Sequence, residues 1–263
     1  MDLNKYTIKE LKKYLINNSV DFDFIKKMKH DTRKGVRRLA DRYQKKMLQK
    51  EKIEQRWKNM NRKLYNLQNK GFELIAGVDE AGRGPLAGPV VASAVILDPE
   101  IKILGLNDSK KISYKKREKL FAIIKKKAVA VGTGIVSSTK IDKVNIHNAT
   151  YIAMREAIKD LNIIPDYILV DGNKEIPDFN IQQEQIIDGD NKVNNIAAAS
   201  IIAKVTRDRI IEKYDAKYPG YGFKENKGYG TSQHIEALKR LGPTPIHRYS
   251  FSIVEKSKDN LVN

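Results

Sequence analysis

Three short apolar runs, each ending in carboxylates beside a glycine, constrain this chain most strongly. Buried strand ends rarely carry unpaired acids, since an uncompensated charge away from water costs several kcal/mol or forces a pKa shift. Neighbouring strand ends of an open α/β sheet gather their side chains at one edge. The three runs are residues 75–78 before Asp79 and Glu80, residues 167–170 before Asp171, and residues 184–187 before Asp188 and Asp190. We therefore predict a carboxylate cluster at this edge, and such oxygen ligands suit Mg²⁺ or Mn²⁺.

The first run also has a simpler interpretation. Asp79 could cap a turn, and Glu80 could pair with Arg83, as most surface acids and bases do. The two later runs favour a shared site. One difficulty remains, because adjacent residues of a regular strand point to opposite faces of the sheet. Either the strand ends at Asp79, or the Glu80 side chain reaches around.

Residues 71–263 have the texture of a mixed α/β domain. From Phe72 onward, short β-branched segments are separated by glycine and proline, with helical patterns between them. The strands are predicted at residues 72–78, 89–97, 128–136, 167–170 and 182–187. The helices are predicted at residues 114–126, 141–161, 194–214 and 232–241.

Residues 1–70 are predicted to form a separate, basic helical extension. Thr7 and Glu10 form a capping box before an apolar stripe. A second helical pattern opens near Asp31 and continues to Leu67, so that one long helix or two helices joined by a kink are both compatible with it. This segment holds 21 Lys and Arg against 8 Asp and Glu. Most of the positive charge therefore lies on the extension.

The composition indicates the partner and the compartment. A net charge of +18 and a pI near 9.7 are typical of proteins that bind polyanions. The absence of cysteine excludes disulfides, thiolate zinc sites and cysteine nucleophiles, and fits a reducing compartment. No signal peptide or membrane span is visible in the sequence. We expect a cytoplasmic protein without membrane contact, with a monomer as the default.

The glycines around Arg83 do not form a nucleotide-binding motif. The spacing from Gly82 to Gly88 lacks one position of the dinucleotide fingerprint, no Gly-Lys-Ser/Thr follows, and Pro85 breaks the expected helix. What remains is a tight turn whose backbone can approach a ligand closely. Arg83 in this turn could reach a phosphate.

The segment from Gly77 to Ala92, GVDEAGRGPLAGPVVA, closely resembles the opening motif of bacterial ribonuclease HII. Further blocks follow in the order of that family, at residues 107–111, 147–150, 169–173, 189–190, 196–208, 228–231 and 247–251. The resemblance covers about residues 72 to 255 and is specific, because so many separate blocks rarely recur together. It implies a ribonuclease-H-like mixed sheet flanked by helices, after the helical extension.

The resemblance places four acidic catalytic residues and metal ligands at Asp79, Glu80, Asp171 and Asp190. Asp188 competes with Asp190, but its spacing to the following block fits the family less well, and it could simply cap a turn. Two Mg²⁺ or Mn²⁺ ions about 4 Å apart can activate a water and stabilise the leaving oxygen. The implied activity is endonucleolytic cleavage of RNA in RNA/DNA hybrids and 5′ of single ribonucleotides in duplex DNA. Its products carry 3′-hydroxyl and 5′-phosphate ends.

The resemblance also implies how the substrate is recognised. Gly82, Arg83 and Gly84 would sense the 2′-hydroxyl, which distinguishes RNA from DNA at one nucleotide. Tyr229 would pack on the neighbouring deoxyribose, although without the resemblance it would be interpreted as a core or turn aromatic. From their positions in the sequence, Lys110, Ser200 and Lys204 are expected to contact the substrate, and Arg207, which shares one helical face with Ser200 and Lys204, could also reach a phosphate. Such lysines are more often solvated surface residues.

Three other interpretations stay open at this level. Ribonuclease HIII is related, but it carries lysine within the glycine turn, where Arg83 stands here. A DNA-cutting transposase or integrase uses a similar acid cluster. A non-catalytic nucleic-acid-binding protein would use the acids only in turns. For the extension, we expect a contribution to duplex affinity, and the alternative is an arm that packs on the core.

Overall fold

The computed structural model describes residues 3–18 and 20–259. Two compact units are present, Met1–Lys58 and Asn59–Asn263. This division lies before the boundary drawn from composition after residue 70, because residues 60–67 pack in the core of the second unit. Residues 1, 2, 19 and 260–263 of the two predicted domains lie outside the described residues.

The first unit is helical. A 3-10 turn at Leu3–Lys5 is followed by α1 (Ile8–Asn17), α2 (Phe22–Lys29) and α3 (Lys34–Gln68), which continues into the second unit. The predicted capping box is confirmed, since Glu10 N donates to Thr7 Oγ1 at 3.3 Å and Thr7 N donates to Glu10 Oε2 at 2.8 Å. The second helical pattern is one helix, α3, whereas α2 was not predicted. The core of this unit contains Leu11, Leu15, Ile25, Met28, Val36 and Ala40.

The second unit is the predicted α/β domain. Its strands are β1 (Ile75–Ala81), β2 (Val90–Ile96), β3 (Ala130–Val136), β4 (Tyr167–Asp171) and β5 (Gln183–Ile186). Its helices are α4 (Tyr114–Lys127), α5 (Ser138–Lys159), α6 (Gly189–Lys192), α7 (Asn194–Lys217), α8 (Phe223–Asn226), α9 (Ser232–Leu241) and α10 (Ser252–Asp259). All five predicted strands and four predicted helices are confirmed within a few residues. The short α6 and α8 and the terminal α10 were not predicted.

The five strands form one mixed sheet in the order β3-β2-β1-β4-β5. Strand β1 pairs antiparallel with β2 and parallel with β4, and β5 continues parallel to β4. The carboxyl ends of β1, β4 and β5 therefore lie at the same edge of the sheet. Because these are the three runs that end in acids, the sheet order brings their carboxylates together.

Helices cover both faces of the sheet. On one face α5 packs against alternate residues of β1 and β4, including Val78 and Ile168. On the other face lie α7 and α4, and the last turns of α3 place Leu64 and Leu67 beside Ile75. Gly77 permits the close approach of α7 to β1, because a Cβ at this position would collide with the backbone of Asn195 and Ile196. The start of α7 is thereby held against the first half of β1, and the helix reaches the acidic end of the strand at Ser200.

Candidate active site

Strand β1 carries its two adjacent acids on opposite faces of the sheet. The strand continues through Asp79 and Glu80 to Ala81, so the interpretation that it ends at Asp79 is wrong. Asp79 is 5% exposed and lies beside Ser200 of α7, whose hydroxyl opposes the rise in the Asp79 pKa. Glu80 turns toward the other face, where its Oε1 lies 3.2 Å from Arg83 Nη1. Both carboxylates nevertheless border the same cleft, because the cleft lies at the end of the strand.

The other two acids reach the cleft from β4 and from the turn after β5. Asp171 ends β4, and its Oδ1 accepts a hydrogen bond from Gly189 N at 2.6 Å. Asp188 adopts a left-handed conformation (φ 55°, ψ 41°), which redirects the chain into α6. Asp190 then lies in the first turn of α6 and lines the cleft, whereas Asp188 is not among the described lining residues.

The cleft encloses about 480 Å³. All residues that the sequence predicted for catalysis, metal binding and substrate binding line it, apart from Arg207. Ser109 and Arg117 also line it, and sequence reasoning missed both. The complete lining is Asp79, Glu80, Ala81, Gly82, Arg83, Gly84, Ser109, Lys110, Arg117, Asp171, Asp190, Ser200, Lys204 and Tyr229.

Burial and mutual repulsion raise the pKa values of the four acids. For Asp79, burial raises the pKa well above its usual range, and the charges of Glu80 and Asp171 add to the effect. Burial also raises the pKa of Glu80, which Arg83 opposes, and that of Asp171, which backbone N–H groups oppose. Burial, with repulsion by Asp108 and Asp171, raises the pKa of Asp190 to about 6. The carboxylates thus lie where a compensating positive charge would be strongly stabilised.

This donor set fits a divalent cation. Carboxylate oxygens are the ligands that Mg²⁺ and Mn²⁺ prefer, and here they are buried beside one another, where each raises the pKa of its neighbours. In the part of the chain that the structure describes, no three His, Cys, Asp or Glu side chains are already gathered closely enough to hold an ion. Glu80 is engaged by Arg83, and Asp171 by the Gly189 amide.

Polar and cationic side chains surround the acids. Ser200 Oγ lies 3.0 Å from Ser109 Oγ, between α7 and the loop that carries Lys110. Lys204 Nζ donates to Asp208 Oδ1 at 2.8 Å and lies 5.7 Å from the centre of the Tyr229 ring. Burial lowers the pKa of Lys204, and Asp208 partly restores it. These groups form a positive rim beside an acidic floor, which suits a ligand that carries phosphates.

Arg207 does not belong to that rim. It is fully buried, and its guanidinium donates to the carbonyl oxygens of Pro89 at 3.1 Å, Ala87 at 3.1 Å and Lys227 at 2.9 Å. The expected phosphate contact of Arg207 is therefore wrong. Helical spacing places Arg207 on the same face as Lys204. Spacing alone does not tell whether a side chain on that face points into the cleft or is buried one turn further along the helix.

A second buried arginine, Arg248, holds the glycine turn. Its guanidinium donates to the carbonyl oxygens of Arg83 at 2.8 Å, Gly82 at 2.5 Å and Gly88 at 3.0 Å. Burial, with repulsion by Arg207, lowers the pKa of Arg248 to about 9. Gly82 has φ +96°, a conformation that favours glycine. The turn is thus fixed from below while the Arg83 side chain remains 46% exposed.

Tyr229 presents its ring to the cleft. It lies between Gly228 and Gly230 just before α9 and is 41% exposed, which excludes the interpretation as a core aromatic. Lys204 Nζ lies 5.7 Å and Arg207 Cζ 5.9 Å from the centre of its ring. An exposed aromatic ring beside phosphate-binding groups is suited to packing on a sugar or a base.

Among the described residues, no helix combines the length and the apolar character needed to cross a bilayer.

The same fold occurs in solved nucleases. The ribonuclease H2 from Pyrococcus horikoshii OT3 superposes with a TM-score of 0.62 and is 29% identical, over 73% of this chain and 100% of that one. Bst-RNase HIII, solved in complex with Mn²⁺, superposes with a TM-score of 0.59 at 18% identity, over 71% and 69% of the two chains. The ribonuclease-H-like fold and its acidic cleft define a ribonuclease H, a hydrolase that cleaves RNA.

Sequence comparison gives the particular family. The Ribonuclease HII model matches residues 76–254, and the Ribonuclease HII N-terminal domain model matches residues 7–63. Ribonuclease HII of Bacillus subtilis is 50% identical over 255 residues, which is 96% of this chain and 99% of that protein. The enzyme of Clostridioides difficile is 49% identical, over 93% and 96% of the two chains. The chain belongs to the ribonuclease HII family, whose members are endoribonucleases of RNA/DNA hybrids.

Proposed function

We propose that the cleft hydrolyses the RNA strand of RNA/DNA hybrids and also incises duplex DNA on the 5′ side of a single embedded ribonucleotide. The products would carry 3′-hydroxyl and 5′-phosphate ends. The observation that carries this proposal is the convergence of four mutually repelling carboxylates with a glycine turn and an exposed tyrosine in one cleft. The acids needed for hydrolysis thus lie next to the glycine turn and the tyrosine, which can recognise a sugar.

Asp79, Glu80, Asp171 and Asp190 would hold two Mg²⁺ or Mn²⁺ ions, which when bound supply an activated water and stabilise the leaving oxygen. The protein's own contribution is positional. The Gly189 amide orients the Asp171 carboxylate through a hydrogen bond, and Ser200 lies beside the buried Asp79 carboxylate. Fixed carboxylates need less rearrangement on ion binding, which favours catalysis.

Three elements of the cleft would select the substrate. The backbone of Gly82, Arg83 and Gly84 would contact the 2′-hydroxyl, since the turn is open to a close approach. The Tyr229 ring would pack on the deoxyribose that follows. Lys110, Ser200 and Lys204 would contact phosphates. In support, the four bonds from Arg248 to backbone carbonyls hold the turn in one shape before a ligand arrives.

We further propose that the basic extension, residues 1–70, raises affinity for the duplex. On α3 the exposed side chains of Arg38, Arg42 and Lys45 are spaced by four and three residues, which places them on one helical face. None of the three has an ion-pair partner among the described residues. Unpaired cations in a row are available for phosphates. A cytoplasmic monomer also stays a prediction.

The decisive experiment is cleavage of an end-labelled DNA duplex containing one ribonucleotide, alongside an all-DNA duplex. Wild type, Asp79→Asn and the matched control Asp188→Asn are assayed with Mg²⁺, Mn²⁺ or chelator. We expect metal-dependent incision 5′ of the ribonucleotide by wild type and Asp188→Asn, and a loss of about a thousandfold or more in Asp79→Asn. Asn tolerates the left-handed conformation of residue 188, so this control preserves the turn.

A second measurement separates a catalytic from a structural effect. Without metal, Asp79→Asn should melt at a higher temperature than wild type, because it removes one of the repelling buried charges. Cleavage of the all-DNA duplex would instead favour a transposase-like nuclease. Binding without cleavage under every condition would favour the non-catalytic protein and refute the proposal.

A further inference from the structure

A pair of buried histidines lies behind the cleft and takes no part in the chemistry described above. His234 is in α9 and His247 in the loop that follows it, and both are fully buried. Their Nε2 atoms are 3.0 Å apart. The rings pack against Tyr221 and Phe223, with centroid distances of 5.2 Å for Tyr221 to His247 and 5.3 Å for Phe223 to His234. Water is thus excluded from the bond between the two imidazoles.

The surrounding donors determine which nitrogen of each ring carries the proton. The backbone N–H of Thr244 donates to His247 Nδ1 at 2.9 Å, and a backbone amide can only donate. His247 Nδ1 is therefore unprotonated, and the proton of this neutral ring is on Nε2. That N–H donates to His234 Nε2, which leaves the proton of His234 on Nδ1. His234 Nδ1 then donates to the carbonyl oxygen of Tyr229 at 2.9 Å.

The result is a continuous chain of hydrogen bonds from Thr244 through both imidazoles to the backbone of Tyr229. Every ring nitrogen has a partner while both rings are neutral, which agrees with the way that burial lowers both histidine pKa values. The Tyr229 carbonyl also accepts from Thr231 N at 2.8 Å. The Tyr229 N–H donates to Asn226 O at 2.9 Å, and Gly228 before it accepts from Leu86 N at 2.8 Å, so the bond from His234 completes a set that fixes this backbone.

We propose that His234 and His247 are positioning residues that aim the Tyr229 ring at the sugar next to the scissile phosphate, and so set the preference for an RNA-to-DNA junction. The inference rests on the proposed role of Tyr229 in substrate selection. Among the described contacts, one direct hydrogen bond joins the pair to this residue, and it comes from His234. His247 acts through His234, whose tautomer it fixes.

The first test uses the unmodified wild-type protein. Long-range ¹H–¹⁵N correlation spectra distinguish the two neutral tautomers of histidine. We expect His247 protonated on Nε2 and His234 protonated on Nδ1 at neutral pH. The opposite tautomer of either ring, or a charged ring, would break the chain and overturn the proposal.

The second test measures selectivity, defined as kcat/KM on a duplex with one ribonucleotide divided by kcat/KM on a uniform RNA/DNA hybrid. We expect Tyr229→Ala to lower this ratio by about tenfold or more. His234→Leu should lower it by about fivefold, as the loss of one hydrogen bond implies. His234→Asn, which retains an N–H near the position of Nδ1, should recover most of the selectivity. The double variant Tyr229→Ala, His234→Leu should be no worse than Tyr229→Ala alone.

The control is Leu238→Ala, a buried change on the same helix without a bond to Tyr229. It should reduce stability yet leave the selectivity ratio unchanged. If His234→Leu also leaves the ratio unchanged while Tyr229→Ala lowers it, the histidines are merely structural and the inference fails. If Tyr229→Ala itself leaves the ratio unchanged, the proposed role of Tyr229 fails with it. If His234→Leu does not fold, the selectivity ratio of His234→Asn and the histidine tautomers of the wild-type protein still test the proposal.

Discussion

At the scale of single residues, protonation of the four acids and protonation of the buried histidines change the stability of the folded chain in opposite directions. The four acids have raised pKa values, so protonation relieves their repulsion and stabilises the folded chain. The buried histidines have lowered pKa values, so protonation is resisted in the folded chain and favours unfolding. Between pH 4 and 6.5 the two effects oppose one another.

Replacement of His247 separates them. Burial lowers the pKa of His247 to about 4, below the unfolded value of 6.5. Its contribution is therefore intact above pH 6.5 and is lost as the pH falls toward 4, at a cost of about 2 kcal/mol by pH 5. His247→Gln should be less stable than wild type at pH 7.5, with a smaller difference at pH 5. Denaturant unfolding at the two pH values measures this, and parallel curves would contradict the assigned pKa.

Single residues also show why sequence reasoning found the acids but missed their supports. Asp79, Asp171 and Asp190 follow apolar runs, which is a local signal. Apart from the bond from Arg207 to Lys227, the bonds from Arg207 and Arg248 reach carbonyls more than a hundred positions away, and no local pattern encodes them. Their burial could not be inferred, because arginine is usually exposed.

At the scale of elements, the close contact between β1 and α7 sets how near the side chains of α7 lie to the acids of the cleft. Gly77 leaves room for the first turn of α7, and Asn195 Nδ2 donates to Ile75 O at 2.7 Å across the contact. The helix then runs past Asp79 and supplies Ser200 and Lys204 to the cleft. A wider spacing would move all of these groups away from the acids.

Gly77→Ala tests this spacing. A Cβ would meet backbone atoms of Asn195 and Ile196, which cannot rotate away, so we expect a loss of about 2 to 4 kcal/mol and of most activity. The matched control is Gly71→Ala, at φ +94°, where a Cβ would meet no atom within 4 Å. It should cost only about 1 kcal/mol of backbone strain, with normal cleavage. Chemical denaturation and the cleavage assay report both, and equal effects would refute the packing argument.

Elements were predicted best where periodicity is local. The strands and the long helices follow from apolar runs and helical spacing, and the acid-ending runs even indicated which strands converge. The one-turn α6 and α8 are too short for periodicity, and each is preceded by a residue with positive φ, Asp188 or Gly222. The order β3-β2-β1-β4-β5 depends on long-range pairing, for which only the family resemblance gave an expectation.

At the scale of the whole molecule, charge is distributed unevenly. The chain carries +18, and residues 1–70 contain most of that excess, whereas the cleft concentrates acids. A polyanion is thereby attracted to the protein while the acidic floor still requires cations of its own. Binding should accordingly weaken as salt rises.

The salt dependence of duplex binding tests the role of the extension. In the full-length Asp79→Asn protein with chelator, Arg38→Gln, Arg42→Gln and Lys45→Gln together should reduce the slope of log K against log salt by about 2 to 3. The control is Lys125→Gln, Lys126→Gln and Lys127→Gln, an equal change of charge in exposed residues at the end of α4. In this α4 triple variant, the slope should stay near that of the Asp79→Asn protein. Equal slopes in both triple variants would assign no special role to α3.

The course of α3 has a consequence for the order in which the chain is made. Leu64 and Leu67 leave the ribosome early, but their packing partners Leu169 and Ile196 follow more than a hundred residues later. At usual elongation rates, Leu64 and Leu67 stay without their packing partners for on the order of ten seconds. Arg62 and Lys63 beside it keep the stretch charged in the interval. The last turns of α3 can therefore be buried only after the segment up to Ile196 has been synthesised. Until then, this is the stretch of the nascent chain that would gain most from contact with a chaperone.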